Sequence, residues 1–269
     1  MPPTALLLAG ALGLSVAGCA RQGQAPEGPE RHDYVFSYFK GNGEDGLHLA
    51  HSSDGMTWRA LKHDSAFFKP TVGVEKLTRD PSIVRGPDGT YHMVWTAGWN
   101  EHGFGYAESK DLITWTNETY VPAMAHEKTA LNTWAPELFY DAPNSRYLIY
   151  WATTIPGRFP ATDVGGGGGK YNHRIYYVTT TDFKTFTPAR LLYEHGFSVI
   201  DADIVRDGAR YVMFLKDETE KPVAQKNIRL AFADHADAVH QSGDDRRRGA
   251  RRVHRKMLCG RQGDAGDHR

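Results

Sequence analysis

Cysteine is nearly absent. Cys19 and Cys259 are the only two in 269 residues, so no intrachain disulfide framework is expected. Charge of one sign is lacking as well: 32 Lys and Arg balance 32 Asp and Glu, which removes the bulk attraction that draws basic proteins to nucleic acid. No segment has the apolar spacing of a long amphipathic helix. No histidines have zinc-ligand spacing, and His48 and His51, three apart, fall on opposite faces of a strand. The run "DVGGGGGKY" has Val164 and Tyr171 where a phosphate-cradling loop needs Gly and Ser or Thr, so it reads as a flexible connection.

What remains is enough for a substantial core. The chain is 40% hydrophobic and 12% aromatic, and its aromatics crowd between residues 34 and 232, alternating with Thr and Val. That pattern favours strands. The opening "MPPTALLLAGALGLSVAGC" holds an apolar run of signal-peptide length, too short for a comfortable membrane span. "VAGC", Val16 to Cys19, resembles the bacterial lipobox, in which the cysteine is acylated and becomes the new N-terminus. The reading is a secreted protein anchored to a bacterial membrane through Cys19; an ordinary secretory signal is the alternative, since the segment before the apolar run lacks Lys and Arg. Residues 20–33 follow as a polar linker.

Three segments repeat one shape: "LHLAHSSDGMTW" from Leu47, "FGYAESKDLITW" from Phe104 and "IYYVTTTDFKTF" from Ile175. Each is an alternating strand followed by Ser or Thr, one residue, Asp, two residues, Thr and an aromatic. Asp54, Asp111 and Asp182 should accept turn amides, with Trp58, Trp115 and Phe186 packed beneath. A second trio interleaves: "DPSIVRGPDGTYHMVW", "APELFYDAPNSRYLIYW" and "DADIVRDGARYVMF". Aligning Ile83, Leu138 and Ile204 puts Asp80, Ala135 and Asp201 in register. Units of this length holding four short strands are what propeller blades look like, and equivalent strand starts then converge on one axis. A sandwich with turn aspartates is the alternative. The repeat fails after "KNIRLAFAD": from residue 236 onward there is no Phe, Tyr or Trp, and nine Lys or Arg stand beside five Asp. Residues 34–235 therefore read as a partial propeller of about three and a half blades, and 236–269 as a disordered, truncated or out-of-frame tail. Three and a half blades cannot close a ring, so an inactive, aggregation-prone polypeptide is expected.

At "RDPSIV", "NTWAPELFYD" and "SVIDADIVRDG" the chain resembles glycoside hydrolase family 43, the five-bladed β-propeller arabinosidases and xylosidases. "FSYFKGNGEDGLHLA" and "WATTIPGRFP" resemble arabinosidase-like members among bacterial lipoproteins. The resemblance spans about Tyr34 to Asp234 and implies an inverting hydrolase of arabinose- or xylose-containing plant polysaccharides or oligosaccharides. It implies Asp80 as general base and Asp201 as the carboxylate that orients and tunes the acid. The acid itself, a Glu in a Glu-Gly-Pro motif, has no counterpart after Asp201. Inverting hydrolysis needs one carboxylate to activate water and one carboxylic acid to protonate the leaving oxygen, about 6.5–9.5 Å apart. A nearby like charge keeps that acid protonated.

Around the pair, Arg79, Trp134, Glu137, Arg158 and His173 are candidate substrate-binding residues. Arg79 could pair with Asp80, Trp134 could stack on a sugar, and Arg158 and His173 could bind hydroxyls; core packing and loop roles are the alternatives. Glu137 aligns with Ser82 and Asp203, not with Asp80, so a rim or structural role fits it better than acid catalysis. No cofactor or metal is expected. Some family members hold a channel calcium, and nothing in this sequence supports one. A monomer is expected, with a carbohydrate substrate and no nucleic acid. A non-catalytic carbohydrate-binding propeller is the rival reading. A sialidase-like propeller is weaker, because the Ser-x-Asp turns fall one residue short of Asp boxes.

Overall fold

The structure is a computed structural model and describes residues 33–162 and 170–238. Cys19, residues 20–32, the glycine run at 163–169 and the tail beyond 238 lie outside the described residues. Among those described, fourteen strands form four antiparallel sheets, each a meander in chain order. The first sheet holds β1 (Tyr34–Tyr38), β2 (His48–Ser52) and β3 (Arg59–Ala60). The second holds β4 (Arg79–Arg85), β5 (Tyr91–Thr96), β6 (Phe104–Ser109) and β7 (Trp115–Val121). The third holds β8 (Trp134–Asp141), β9 (Arg146–Thr153), β10 (Arg174–Thr180) and β11 (Arg190–Tyr193). The fourth holds β12 (Val199–Asp207), β13 (Arg210–Asp217) and β14 (Ile228–Ala233). β1 packs beside β4, β4 beside β8, and β8 beside β12, so the leading strands succeed one another around an axis. Helix is confined to three-residue 3-10 turns. The fold is all-β and of the five-bladed propeller type that the resemblance implies, incomplete within the described residues.

Period-two side-chain alternation builds the core between neighbouring sheets. On β9, Tyr147, Ile149 and Trp151 face the second sheet, where they meet Val94, Phe104 and Tyr106. Leu148, Tyr150 and Ala152 face the other way, against Val199, Ile204 and Met213 of the fourth sheet. β10 divides likewise, with Tyr176 and Val178 on one side and Ile175 and Tyr177 on the other. Strands buried on both faces carry no polar face, which explains the near-continuous apolar run of "YLIYWA". Each large side chain buried this way contributes about 1.5–3 kcal/mol. Gly105 is required where the Trp95 ring crosses it, since a Cβ there would lie 2.0 Å from the indole.

The aspartate turns form between the last two strands of the first three sheets. Asp54 Oδ1 accepts the amides of Met56 and Thr57 at 2.8 and 2.7 Å, Asp111 those of Ile113 and Thr114, and Asp182 those of Lys184 and Thr185. These backbone hydrogen bonds favour the ionised form and hold all three carboxyls below the usual range. Trp58 packs on Phe36, Trp115 on Phe68, and Phe186 against the core between the second and third sheets.

Three of the leading strands, β4, β8 and β12, share a second device. In β4 the pairing runs Ser82 with Val94, then Arg79 with Thr96, so three steps on β4 match two on β5. β8 repeats this between Glu137 and Trp134, and β12 between Asp203 and Ile200. The extra residue makes a bulge, and one residue in each bulge takes left-handed φ: Asp80 at +48°, Ala135 at +46°, Asp201 at +50°. Aspartate tolerates this region better than alanine does. Ala135→Gly should therefore leave stability unchanged or raise it by up to about 1 kcal/mol, a melting shift of roughly 0 to +4 °C, because relief of strain offsets glycine's entropy. Thermal unfolding followed by circular dichroism checks this. A fall of several degrees would contradict the strain argument.

Candidate active site

The bulges settle which way the two aspartates face. An extra residue re-aims the side chain that an unbroken pleat would send toward the neighbouring sheet. Asp80 and Asp201, from the second and fourth sheets, thereby open on a single recess, lined also by Arg79, Thr96, Trp99, Trp134 and Ile200. The intervening sheet contributes Ala135 at the matching seat, with no carboxylate there.

Asp80 is anchored from behind. The Thr96 hydroxyl donates to Asp80 Oδ2 at 3.3 Å and accepts the Ala135 amide at 2.8 Å. Arg79 is held by Asn42, whose Oδ1 accepts from Arg79 Nη1 at 3.1 Å and from Trp99 Nε1 at 2.9 Å. Its guanidinium lies between two rings, 4.8 Å from the Phe39 centroid and 4.3 Å from that of Trp99. Such stacking fixes a cation whose stem is otherwise flexible. Trp99 is 38% exposed yet fastened at three points: its amide donates to Glu75, its indole to Asn42, and its carbonyl accepts Trp134 Nε1 at 2.9 Å. The two indoles meet edge to face at 5.4 Å.

Beyond Trp134 the aromatic rim continues through Tyr171 and His173, whose rings stack at 5.2 Å. His173 is 2% exposed and its Nδ1 lies 3.0 Å from the Thr154 hydroxyl, so it supports the Trp134 ring from within. Burial first, then the charges of Arg174 and Lys226, pushes its pKa down to about 3. Arg158 donates to Glu127 at 2.6 Å, on the loop before β8. Glu137 accepts the Ser82 hydroxyl at 2.5 Å, and Ser82 Oγ in turn accepts the Leu138 amide. Glu137 and Asp203 both act on the buried Tyr150 phenol, which burial and then these charges push well above its usual range. Ser82, Glu137 and Asp203 thus form a layer behind the Asp80–Asp201 layer, joining the sheets. The structure brings Arg79, Asp80, Trp134 and Asp201 together; it sets Glu137 in the layer behind, His173 under the rim, and Arg158 on Glu127.

Thr96, Trp99 and Asn42 are site residues that sequence reasoning passed over. Thr96 was reachable by counting from the "GPDG" turn, which pairs Arg85 with Tyr91, but plain counting sets residue 97 across from Arg79. The bulge moves the partner to Thr96. Trp99 sits in "TAGWNEHG", a loop with no periodic signal. Among the described residues no group of three or more His, Cys, Asp or Glu is placed to hold a metal ion.

Two aspartates from separate blades thus share one recess with two fixed indoles and a stacked arginine, on an incomplete propeller. A family model described as "Probable glycosyl hydrolase domain", related to glycoside hydrolase family 43, matches residues 30–254. The chain belongs to this family. An α-L-arabinofuranosidase of Bifidobacterium longum subsp. longum is 24% identical over 160 residues, 52% of this chain and 15% of the relative. The chain thus spans only a small part of that protein. Among solved structures, a GH43_12 from capybara gut metagenome superposes with a TM-score of 0.55 at 14% identity, over 76% of this chain and 38% of the other. The Penicillium chrysogenum α-L-arabinanase, solved with arabinobiose, gives 0.50 at 13% identity over 72% and 56%. At these identities the likeness shows the fold.

Neutral His173 gives an acid-sensitive element. Its folded pKa, about 3, lies below the unfolded 6.5, so its contribution is complete above pH 6.5 and is lost as pH falls toward 3. Unfolding free energies from urea titrations between pH 7.5 and 4.5 should fall with pH for the native chain, by at most about 1.4 kcal/mol per pH unit from this group. The slope should be shallower in His173→Gln. Equal slopes would show that His173 does not carry the effect.

Proposed function

We propose that this propeller is an inverting glycoside hydrolase of arabinose- or xylose-containing plant polysaccharides or their oligosaccharides. The observation that carries the reading is the placement of Asp80 and Asp201 in equivalent bulge seats on one recess. Asp80, oriented by Thr96, is the general base that takes a proton from the attacking water. Asp201, from two blades away, is the carboxylate that would orient a general acid and stabilise its protonated form. No Glu-Gly-Pro follows it in this sequence, so this chain is proposed to be inactive on glycosides whose leaving oxygen needs a proton. Trp99 and Trp134 offer sugar-facing surface at the rim, and Arg79 is stacked beside them. The names of the relatives, an arabinofuranosidase and an arabinanase, favour the pentose class. We propose further that the protein is exported and tethered to a bacterial membrane by acylation of Cys19 and that it works as a monomer.

A non-catalytic sugar-binding propeller is the second reading. It is favoured by the recess lining, where Asp80 and Asp201 are the only carboxylates among the described residues. One chemistry separates the two readings. A 2,4-dinitrophenyl leaving group departs without a proton, so its hydrolysis needs the base alone. The native chain should turn over 2,4-dinitrophenyl α-L-arabinofuranoside or the β-xyloside, and Asp80→Asn should lower kcat by about 10²–10⁴. Asparagine keeps the left-handed backbone, so the fold should survive. Unchanged turnover in Asp80→Asn removes the residue from the base role. Sugar binding by a native chain with no turnover establishes the second reading.

For the anchor, growth of an expressing bacterium with an alkyne-tagged palmitate should label the native protein and not Cys19→Ser. Equal labelling of both, or labelling of neither, contradicts the Cys19 anchor.

A further inference from the structure

We propose that Thr96 is the positioning residue of Asp80: it fixes which carboxylate oxygen faces the attacking water, and does so through an amide of the next blade. The inference rests on the reading of Asp80 as the base, and goes beyond it by explaining what aims that base.

Thr96 is 1% exposed, at the last position of β5, across from Arg79 in the bulge. Its hydroxyl has one proton to give. The Ala135 amide can only donate, so at 2.8 Å it occupies an oxygen lone pair. The hydroxyl proton is then left for Asp80 Oδ2, 3.3 Å away. A free serine or threonine hydroxyl rotates to suit its neighbours. This one is pinned by a backbone group that belongs to a different blade. Oδ2 therefore has a fixed donor, and the Asp80 carboxyl plane is set by the junction between the second and third sheets. A base whose plane is fixed before substrate arrives spends no free energy on finding its orientation.

The repeat supplies an internal comparison. The residues across from the three bulges are Thr96, Ala152 and Lys216, facing Arg79, Trp134 and Ile200. In the third sheet the bulge seat holds Ala135, with no carboxylate to aim, and the facing residue is Ala152, with no hydroxyl. At that junction Ala152 has no hydroxyl to offer the next bulge, so the architecture does not demand this contact between blades. Between the second and third sheets, the hydroxyl is present where the seat holds a carboxylate and absent where it holds alanine. In the fourth sheet Asp201 has a lysine across the bulge, and its ammonium is paired with Glu218. The two aspartates occupy the same backbone seat with chemically different neighbours, as two different tasks require.

The test uses Thr96→Val, Thr96→Ala and Thr96→Ser in the full chain, with thermal melts to establish that each is folded. Alanine accompanies valine because it brings no methyl against the Ala135 amide. Crystal structures of the folded variants report the Asp80 side-chain torsions directly. The carboxyl plane should turn away from its native setting in Val and Ala and keep it in Ser. With the 2,4-dinitrophenyl glycoside, kcat should fall about tenfold or more in Val and Ala at unchanged KM, as misplacement of a catalytic group does. Serine should restore kcat to within about threefold. In an Asp80→Asn background, Thr96→Val should cost nothing more, since it acts through Asp80. An unmoved Asp80 in Val and Ala overturns the proposal, as does a further loss in the Asp80→Asn background. If the native chain does not hydrolyse the glycoside, the hydrolase reading falls, and the Asp80 torsions still decide the positioning role.

Discussion

An extra residue at the head of β4, β8 and β12 is the constraint on which the site depends. A regular pleat would send Asp80 and Asp201 toward neighbouring sheets, where a carboxylate would be buried without a water-facing outlet. The bulge bends the strand, takes one residue into the left-handed region and turns its side chain toward the axis. Local strain of this kind costs on the order of 1–3 kcal/mol per residue and persists only where surrounding packing over-determines it. Here the packing is provided by sheets buried on both faces, with Leu148, Tyr150 and Trp151 of β9 joining three sheets at once.

Rigidity continues outward from the bulges to the rim. Trp99, Trp134, Arg79 and Asn42 bond to each other across two loops and two strands of different sheets, so the exposed indole of Trp99 has little freedom left to lose. A ligand that stacks there pays less ordering entropy than it would on a mobile loop. The layer behind, Ser82 with Glu137 and Asp203 near Tyr150, ties the same blades together under the recess. Polar groups at these depths are satisfied by partners from adjacent sheets, which makes blade-to-blade registry part of the site's geometry.

Much of the fold was legible in the sequence because its signals are local. The hairpin "SIVRGPDGTYHMVW", the Ser-x-Asp turns and the alternation of "IYYVTT" depend on neighbours within a few residues, and the strands and turns fall where those patterns put them. Aligning Ile83, Leu138 and Ile204 also brought Asp80, Ala135 and Asp201 into one register, which the shared bulges explain. Contacts set by the bulge itself were hidden. Ala135 gives no sign of left-handed φ, and Thr96 reads as an ordinary strand threonine until a one-residue shift brings it against Arg79. Histidine 173 looked like a loop residue able to meet a sugar; its burial beneath Trp134 follows from long-range packing against Thr154 and Ser198. Arg158 and Glu137 were visible as polar residues near the right motifs, but the partners they take, Glu127 and Ser82, lie 31 and 55 residues away.

The central claim is that two acidic side chains from non-adjacent blades share one sugar. A crystal structure of the chain with arabinobiose or xylobiose tests it most directly. The account predicts a pentose ring in the recess between Trp99 and Trp134, with hydroxyls or an ordered water within hydrogen-bond reach of both Asp80 and Asp201. A sugar bound elsewhere on the chain, or one touching a single aspartate with the other turned away from it, would contradict the account.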